Sequence, residues 1–415
     1  MSQEAFAGSF PLKDPKPDFE ALENVVLGRA EPERVHFVEE FADVEVIDYI
    51  VQNMMEEEFP SLDETWASAG SDSHLASKVE TFLAGGEFKL IDGEPDEIRV
   101  KRDIAFYYRM GYDYLPDLAP WYLMCTLSAA VAAEQGLGGE IGSHAAPDTA
   151  GEDLTRGMRN WMEEKVGFVS CWEEFERIPW ERVDLDMLGI DEYYRFVAKH
   201  LPDGMKVTAL GTTFGPIVTT LGFETLCELL YEDPELVQAV SDKWGQLVLE
   251  LYERMLPHEC VGFAWQADDL GYKSKTLLSP SHIRQYILPW FSRYADLAHA
   301  HGKMFWLHSC GNIYAIMEDL IEDVGIDAQQ SFQDQILPIT DFMDTYGNRI
   351  AGLGGVDMDK LCRLEEPELR AYCRSILDHC MPKGRYAYGT GNTVANYIPL
   401  RNYLTMMEVG YRYRG

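Results

Sequence analysis

The sequence has little positive charge. Its 35 lysines and arginines stand against 70 aspartates and glutamates, a net charge of −35. A surface of that sign repels nucleic acid and anionic membrane, so neither is expected as a partner. Long apolar runs are also missing, and no stretch reaches the roughly 18 uninterrupted apolar residues of a membrane helix. The opening "MSQEAFAGSFPLKDPKPDFE" has no basic start followed by an apolar block. No secretory signal is therefore expected, and a cytoplasmic location is the default. The eight cysteines are scattered, without a C-x-x-C pair, which argues for reduced thiols and against a disulfide scaffold. Cys227, Cys362 and Cys373 fall in amphipathic helical patterns, where a small core residue is all that is needed. No phosphate-binding loop or supported Ser-His-Asp grouping stands out, and "YGTGNTVANY" lacks the strand and helix context of a dinucleotide site.

What is present is an alternation of short apolar runs with longer amphipathic segments. The runs fall at 34–39, 112–115, 206–210, 261–267, 303–308, 326–329, 349–353 and 385–388. Between them, "ETLCELLYEDPELVQAVSDKWGQLVLELYERM" spells two helices joined at Asp233-Pro234. Further helices are predicted at 281–300, 312–322, 367–380 and 400–411, with Ser279-Pro280 and Pro399 as start signals. Eight strands alternating with helices predict an α/β fold, a TIM-type (β/α)8 barrel over 31–415. An open doubly wound sheet is the other arrangement. Residues 1–30, rich in proline and charge, read as an N-terminal extension or a cap. At about 115–200 a glycine-rich stretch and a helical segment carrying Trp161 and Trp172 form a helical insert. It is either a surface excursion or a lid over the barrel mouth.

In such a barrel, chemistry gathers at the carboxyl ends of the strands. Those ends carry Glu39 and Glu40, Gly211 and Thr212, Asp268 and Asp269, and His308 and Cys310. Gln330 and Ser331, Gly355 and Asp357, and Gly389 to Asn392 follow. In "FWLHSCGN", His308 and Cys310 are two apart and share one side of an extended chain, which offers half of a tetrahedral zinc site. A buried histidine beside a structural thiol is the plainer alternative. Asp268 and Asp269 have the chemistry to orient a substrate, hold a proton or bind a cation. They are equally suited to capping the next turn. Trp265, Tyr272 and Trp306 would pack either an aromatic ring or the core, and Gln330, Asp357 and Asn392 complete the candidate substrate contacts.

The blocks "LLSPSHIRQYILPWFSRYADLAHAHGKMFWLHSCGNIYAIMEDLIEDVGIDA" and "RIAGLGGVDMDKL" resemble the uroporphyrinogen decarboxylase superfamily. More narrowly they are similar to its corrinoid-dependent methyltransferases, with a fainter block at "RVHFVEEFADVEV". That resemblance implies a barrel, with zinc held by His308, Cys310 and a later third cysteine. It also implies O-demethylation: a methyl group passes from a small methylated, methoxylated substrate to the cobalt of a corrinoid (cobalamin) on a separate protein. In this chain Thr390, in "YGTGN", stands where the third cysteine would fall, and a neutral hydroxyl is a poor zinc ligand. Glu39 is the first substitute, since strands one and eight are neighbours in a closed barrel; Asp268 and Asp269 come next. The same three carboxylates are the candidate catalytic acids. The decarboxylase branch implies an early arginine-rich segment, yet the first 33 residues hold only Arg29. A metal-free tetrapyrrole decarboxylase and a non-catalytic ligand-binding barrel are the alternative readings. The methyl donor, the corrinoid-binding partner and the existence of a homodimer are left open.

Overall fold

The computed structural model describes residues 10–55, 72–137, 143–146, 159–162 and 167–414. Its centre is a seven-stranded parallel sheet: β1 (Tyr114–Leu115), β4 (Lys206–Gly211), β5 (Val261–Ala267), β6 (Met304–His308), β7 (Ala328–Gln330), β8 (Ala351–Leu353) and β9 (Tyr386–Ala387). The strands neighbour one another in that order. The sheet curls, with helices outside it. A further extended segment, residues 35–39, lies beside β9 through a parallel bridge between Phe37 and Tyr388. The Val38 amide donates to the Tyr388 carbonyl at 2.9 Å, and the Tyr388 amide donates to that of His36 at 2.8 Å. Each of the eight apolar runs thus contributes a stave, although 35–39 makes a bridge and not a full strand.

The junction between 35–39 and β1 is different in kind. Side chains close it: Tyr114 Oη donates to the Glu39 carbonyl at 2.7 Å and accepts from the Glu39 amide at 2.9 Å. One residue before β1, Asp113 Oδ2 sits 2.7 Å from His36 Nδ1, and its other oxygen is held by Arg34.

Alternation along each strand divides the apolar residues between two cores. Val38, Tyr114, Phe263, Trp265, Met304, Trp306, Ala328 and Leu353 point inside the curled sheet. Their neighbours Phe37, Val207, Ala264, Phe305 and Leu307 face the helices. Large rings fill the interior, with Trp265 and Trp306 edge to face at 5.3 Å and Tyr114 against Phe263 at 5.1 Å. Such aromatic pairs add about 0.5–1.5 kcal/mol each beyond burial. The helix Phe19–Val26 closes the amino-terminal end of this interior, with Phe19 stacked on Phe263. Residues 19–26 therefore act as a cap and not as a loose extension. Gly262 makes room for it, because a Cβ there would lie 2.5 Å from the Phe19 ring.

The two helices joined at Asp233 run Phe223–Glu232 and Pro234–Met255. Asp233 caps the second by accepting from the Leu236 amide at 3.1 Å. The helix predicted at 281–300 is two, Pro280–Tyr286 and Leu288–Ala300. Pro289 lacks an N–H and cannot continue the first. The segment predicted as a helix at 312–322 is a 3-10 turn, Tyr314–Ile316, followed by a π turn, Asp319–Val324. Within the insert, Ala119–Ala133, Trp172–Arg177 and Ile190–His200 are helical. Trp161 belongs instead to β3 (Arg159–Met162), which pairs antiparallel with β2 (Ser143–Ala146). Most of the glycine-rich stretch offered as a lid lies outside the described residues. No described helix is long and apolar enough to cross a membrane.

Candidate metal centre

Inward alternation along β6 passes through Met304 and Trp306 to His308, and two residues later to Cys310. The same rule along β5 leads from Phe263 and Trp265 to Asp269. The loops that follow β5 and β6 are fastened together. Gly271 donates to the Cys310 carbonyl at 3.1 Å, and Asn312 donates to the Tyr272 carbonyl at 2.8 Å. The two backbones meet at glycines, since a Cβ on Gly271 would lie 2.6 Å from the Asn312 nitrogen. Gly311 also has φ +81°, a conformation that glycine adopts without strain.

This zipper sets three donor atoms around one point. His308 Nε2 lies 3.5 Å from Cys310 Sγ and 3.6 Å from Asp269 Oδ1, and the three ligand atoms all fall within 4.8 Å of one another. Asp269, His308 and Cys310 thus form a group able to hold a metal ion. Imidazole nitrogen, sulfur and carboxylate oxygen suit zinc, with a position left for a water or substrate oxygen.

The surroundings orient each donor. His308 Nδ1 faces Glu40 Oε2 at 3.1 Å and is also hydrogen-bonded to Gln330 Oε1. Two acceptors hold the Nδ1 proton and turn Nε2 towards Cys310 and Asp269, where a metal ion would take the place of a second proton, the usual orientation of a metal-bound imidazole. Asn392 Nδ2 donates to Cys310 Sγ at 2.9 Å, and Gln330 Nε2 donates to the Asn392 carbonyl at 2.5 Å. Burial opposes charge on His308, but Glu40, Cys310 and Asp269 outweigh it and raise its pKa well above the usual imidazole range. Burial likewise acts to raise the Asp269 pKa. The imidazole and the Cys310 amide win and pull it down to about 2. Asp269 is therefore ionised at neutral pH, and the group as a whole attracts a cation.

The placement of the other candidate residues is mixed. Glu39 does not join the metal group. Its carboxyl accepts from the Thr390 amide at 2.8 Å and from the Thr390 hydroxyl, and burial pushes its pKa up to about 8. The expectation that Glu39 would be the substitute ligand is thus corrected in favour of Asp269. Asp268 is an anchor: its carboxylate accepts from the amides of Thr213, Phe214 and Gly215 and from Gln266 Nε2, at 2.7–3.1 Å. That fixes the start of the helix Phe214–Leu221, while burial pushes the Asp268 pKa up to about 7. Trp265 and Trp306 are fully buried in the inner core, so neither is a substrate contact. Asp357 caps the helix Met358–Arg363 through the Lys360 amide at 3.1 Å. It also borders, with Tyr272, Gln333 and Ile336, a cleft of about 440 Å³ that opens at Cys310. Tyr272 is 64% exposed at that rim. Gln330 and Asn392 contact His308 and Cys310 themselves and do not line this cleft.

Glu40, named among the strand-end residues but given no role there, is the carboxylate that faces His308. The signal was there: Val38 points inward, so two-residue periodicity sends Glu40 inward and Glu39 outward.

A family model described as Uroporphyrinogen decarboxylase (URO-D) matches residues 181–413. Among solved structures, a methyltransferase from Methanosarcina mazei is similar in fold. The TM-score is 0.58 over 94% of this chain and 97% of that one, at 13% sequence identity. No curated protein matches the sequence.

Proposed function

The chain belongs to the uroporphyrinogen decarboxylase (URO-D) family, and on that premise we propose that it is a zinc-dependent methyltransferase. It takes a methyl group from a small methoxylated compound and delivers it to the reduced cobalt of a corrinoid carried by a partner protein. The observation that carries this reading is the convergence of Asp269, His308 and Cys310 at the carboxyl ends of β5 and β6. The fold shared with the Methanosarcina mazei methyltransferase supports it further.

In the transfer the methyl carbon gains a bond to cobalt and loses its bond to oxygen, whose electron pair stays with the leaving group. That oxygen needs stabilising as negative charge develops on it. Zinc, when bound, supplies a Lewis acid for this purpose. The chain's own residues prepare the place. Glu40 and Gln330 hold the Nδ1 proton and so turn Nε2 towards the other two donors. Asn392 donates to the Cys310 sulfur and fixes where it points. Asp269, kept ionised, serves as a ligand and not as the proton donor. Tyr272 is the aromatic surface that remains available to a bound ring in the cleft.

Two measurements on freshly purified protein test the proposal. Zinc content should be close to stoichiometric and lost in His308→Ala, and methylcobalamin should form from cob(I)alamin with at least one methoxylated compound. Absence of both zinc and methyl transfer overturns the reading. Decarboxylation of uroporphyrinogen by the metal-free protein would assign it the other chemistry of its family.

A further inference from the structure

Thr390 stands where the methyltransferases that this chain resembles carry a third cysteine. It is fully buried, and its amide and hydroxyl are both held by one carboxyl, that of Glu39. The Thr390 hydroxyl oxygen in turn accepts from the Asn392 amide at 3.3 Å. Gly391, between them, donates to the Val356 carbonyl at 2.7 Å and accepts from the Phe332 amide at 2.9 Å. The packing there is close, since a Cβ on Gly391 would lie 2.3 Å from the Phe332 carbonyl oxygen. At the end of this turn Asn392 meets the metal group. Its Nδ2 donates to Cys310 Sγ at 2.9 Å, and its carbonyl accepts from Gln330 Nε2 at 2.5 Å.

A donor aimed at a sulfur is only as well placed as the backbone that bears it. The Thr390 hydroxyl ties the backbone of Asn392 to the stave formed by residues 35–39, and without it a buried amide loses its acceptor. We infer that Thr390 is a positioning residue for Cys310, acting through Asn392. Where the resembling enzymes are expected to ligate with a sulfur, this chain uses a hydroxyl to fix the turn that steers its one metal-binding sulfur. Glu39→Gln preserves the tether, because a carboxamide accepts from the Thr390 amide and donates to the hydroxyl. The inference rests on the metal group described above, but the placement of the sulfur is also readable without metal.

A double-mutant cycle on the full chain tests it. Thr390→Val keeps the shape and deletes the hydroxyl, and Asn392→Ala deletes the donor to Cys310. Each should weaken zinc binding at least about fivefold in competition with a chromophoric chelator. The double variant should match Asn392→Ala within about twofold, and Thr390→Ser should return to within about twofold of the native affinity. The second readout is the rate at which iodoacetamide alkylates Cys310 in chelated, metal-free protein, followed by peptide mass spectrometry. Thr390→Val and Asn392→Ala should shift that rate in the same direction by at least about threefold, and the double variant should again match Asn392→Ala. Additive effects in either cycle, native behaviour of Thr390→Val, or a Thr390→Ser that stays impaired overturns the inference. Thr390→Cys fills the same space and serves if valine prevents folding; it should weaken zinc binding, and tighter binding would place side chain 390 among the ligands and overturn the inference. A native protein that holds no zinc removes the metal reading alone, and the alkylation cycle then decides the role of Thr390.

Discussion

The main-chain amide of Cys310 donates to Oδ1 of Asp269 at 2.9 Å. Through that bond the loop after β6 grips the carboxylate delivered by the loop after β5 and sets it 3.6 Å from the imidazole of His308. The oxygen that completes the donor set is positioned by the backbone of the residue that supplies the sulfur.

If Asp269 is the third ligand, Asp269→Asn should weaken zinc binding by at least about tenfold in competition with a chromophoric chelator. Glu39→Gln, altering a carboxyl engaged by Thr390, should leave the affinity within about twofold. The reverse ranking would restore Glu39 as the ligand.

Glu40, which faces His308 Nδ1, carries a separate expectation. Glu40→Gln keeps the shape but removes the negative charge 3.1 Å from Nδ1. Loss of such a partner to a metal-bound histidine lowers affinity about 10- to 100-fold. Unchanged affinity would mean that Gln330 alone sets the ring.

Gly271→Ala probes the zipper. The added methyl group would lie 2.7 Å from the Cys310 carbonyl oxygen and 2.6 Å from the Asn312 nitrogen. The two loops must then separate, carrying Asp269 away from Cys310. Zinc retention should fall sharply while far-ultraviolet circular dichroism stays native. A variant that holds zinc as the native protein does would show that the loops need no such closeness.

Glu39 predicts a pH dependence of stability. Burial raises its pKa from the ordinary 4.5 to about 8 in the folded chain. Between those values the folded state holds a proton that the unfolded state has released. The contribution is thus complete below about pH 4.5 and is lost as pH rises through about 8. Urea unfolding should show native stability falling across pH 5 to 8 more steeply than that of Glu39→Gln, by up to about 1.4 kcal/mol per pH unit. Parallel profiles would place the proton elsewhere.

The staves and the His308–Cys310 pair were legible because strand periodicity and glycine punctuation are local properties. "FWLHSCGN" carries its own orientation, with Trp306, His308 and Cys310 on one side. Choosing between adjacent carboxylates was harder, because Asp268 and Asp269, like Glu39 and Glu40, differ only in register. Extending the inward set Phe263 and Trp265 by two-residue steps selects Asp269, and extending Val38 selects Glu40. Two features were out of reach of sequence. The rim position of Trp265 could not be told from its true depth among Tyr114, Phe263 and Trp306. The hydrogen bond from Tyr193 to Asp117 joins residues that lie 76 apart in the chain.

The junction between residues 35–39 and β1 has a mechanical meaning. Six neighbouring strand pairs share main-chain ladders, whereas here a tyrosine hydroxyl and a histidine–aspartate contact do the fastening. A hoop joined everywhere by rivets except at one buckle yields at the buckle. Swapping side-chain contacts for water there costs no ladder hydrogen bond, and Glu40 rides on the stave that would move. The place of Glu40 beside His308 therefore rests on side-chain contacts made by His36, Asp113 and Tyr114.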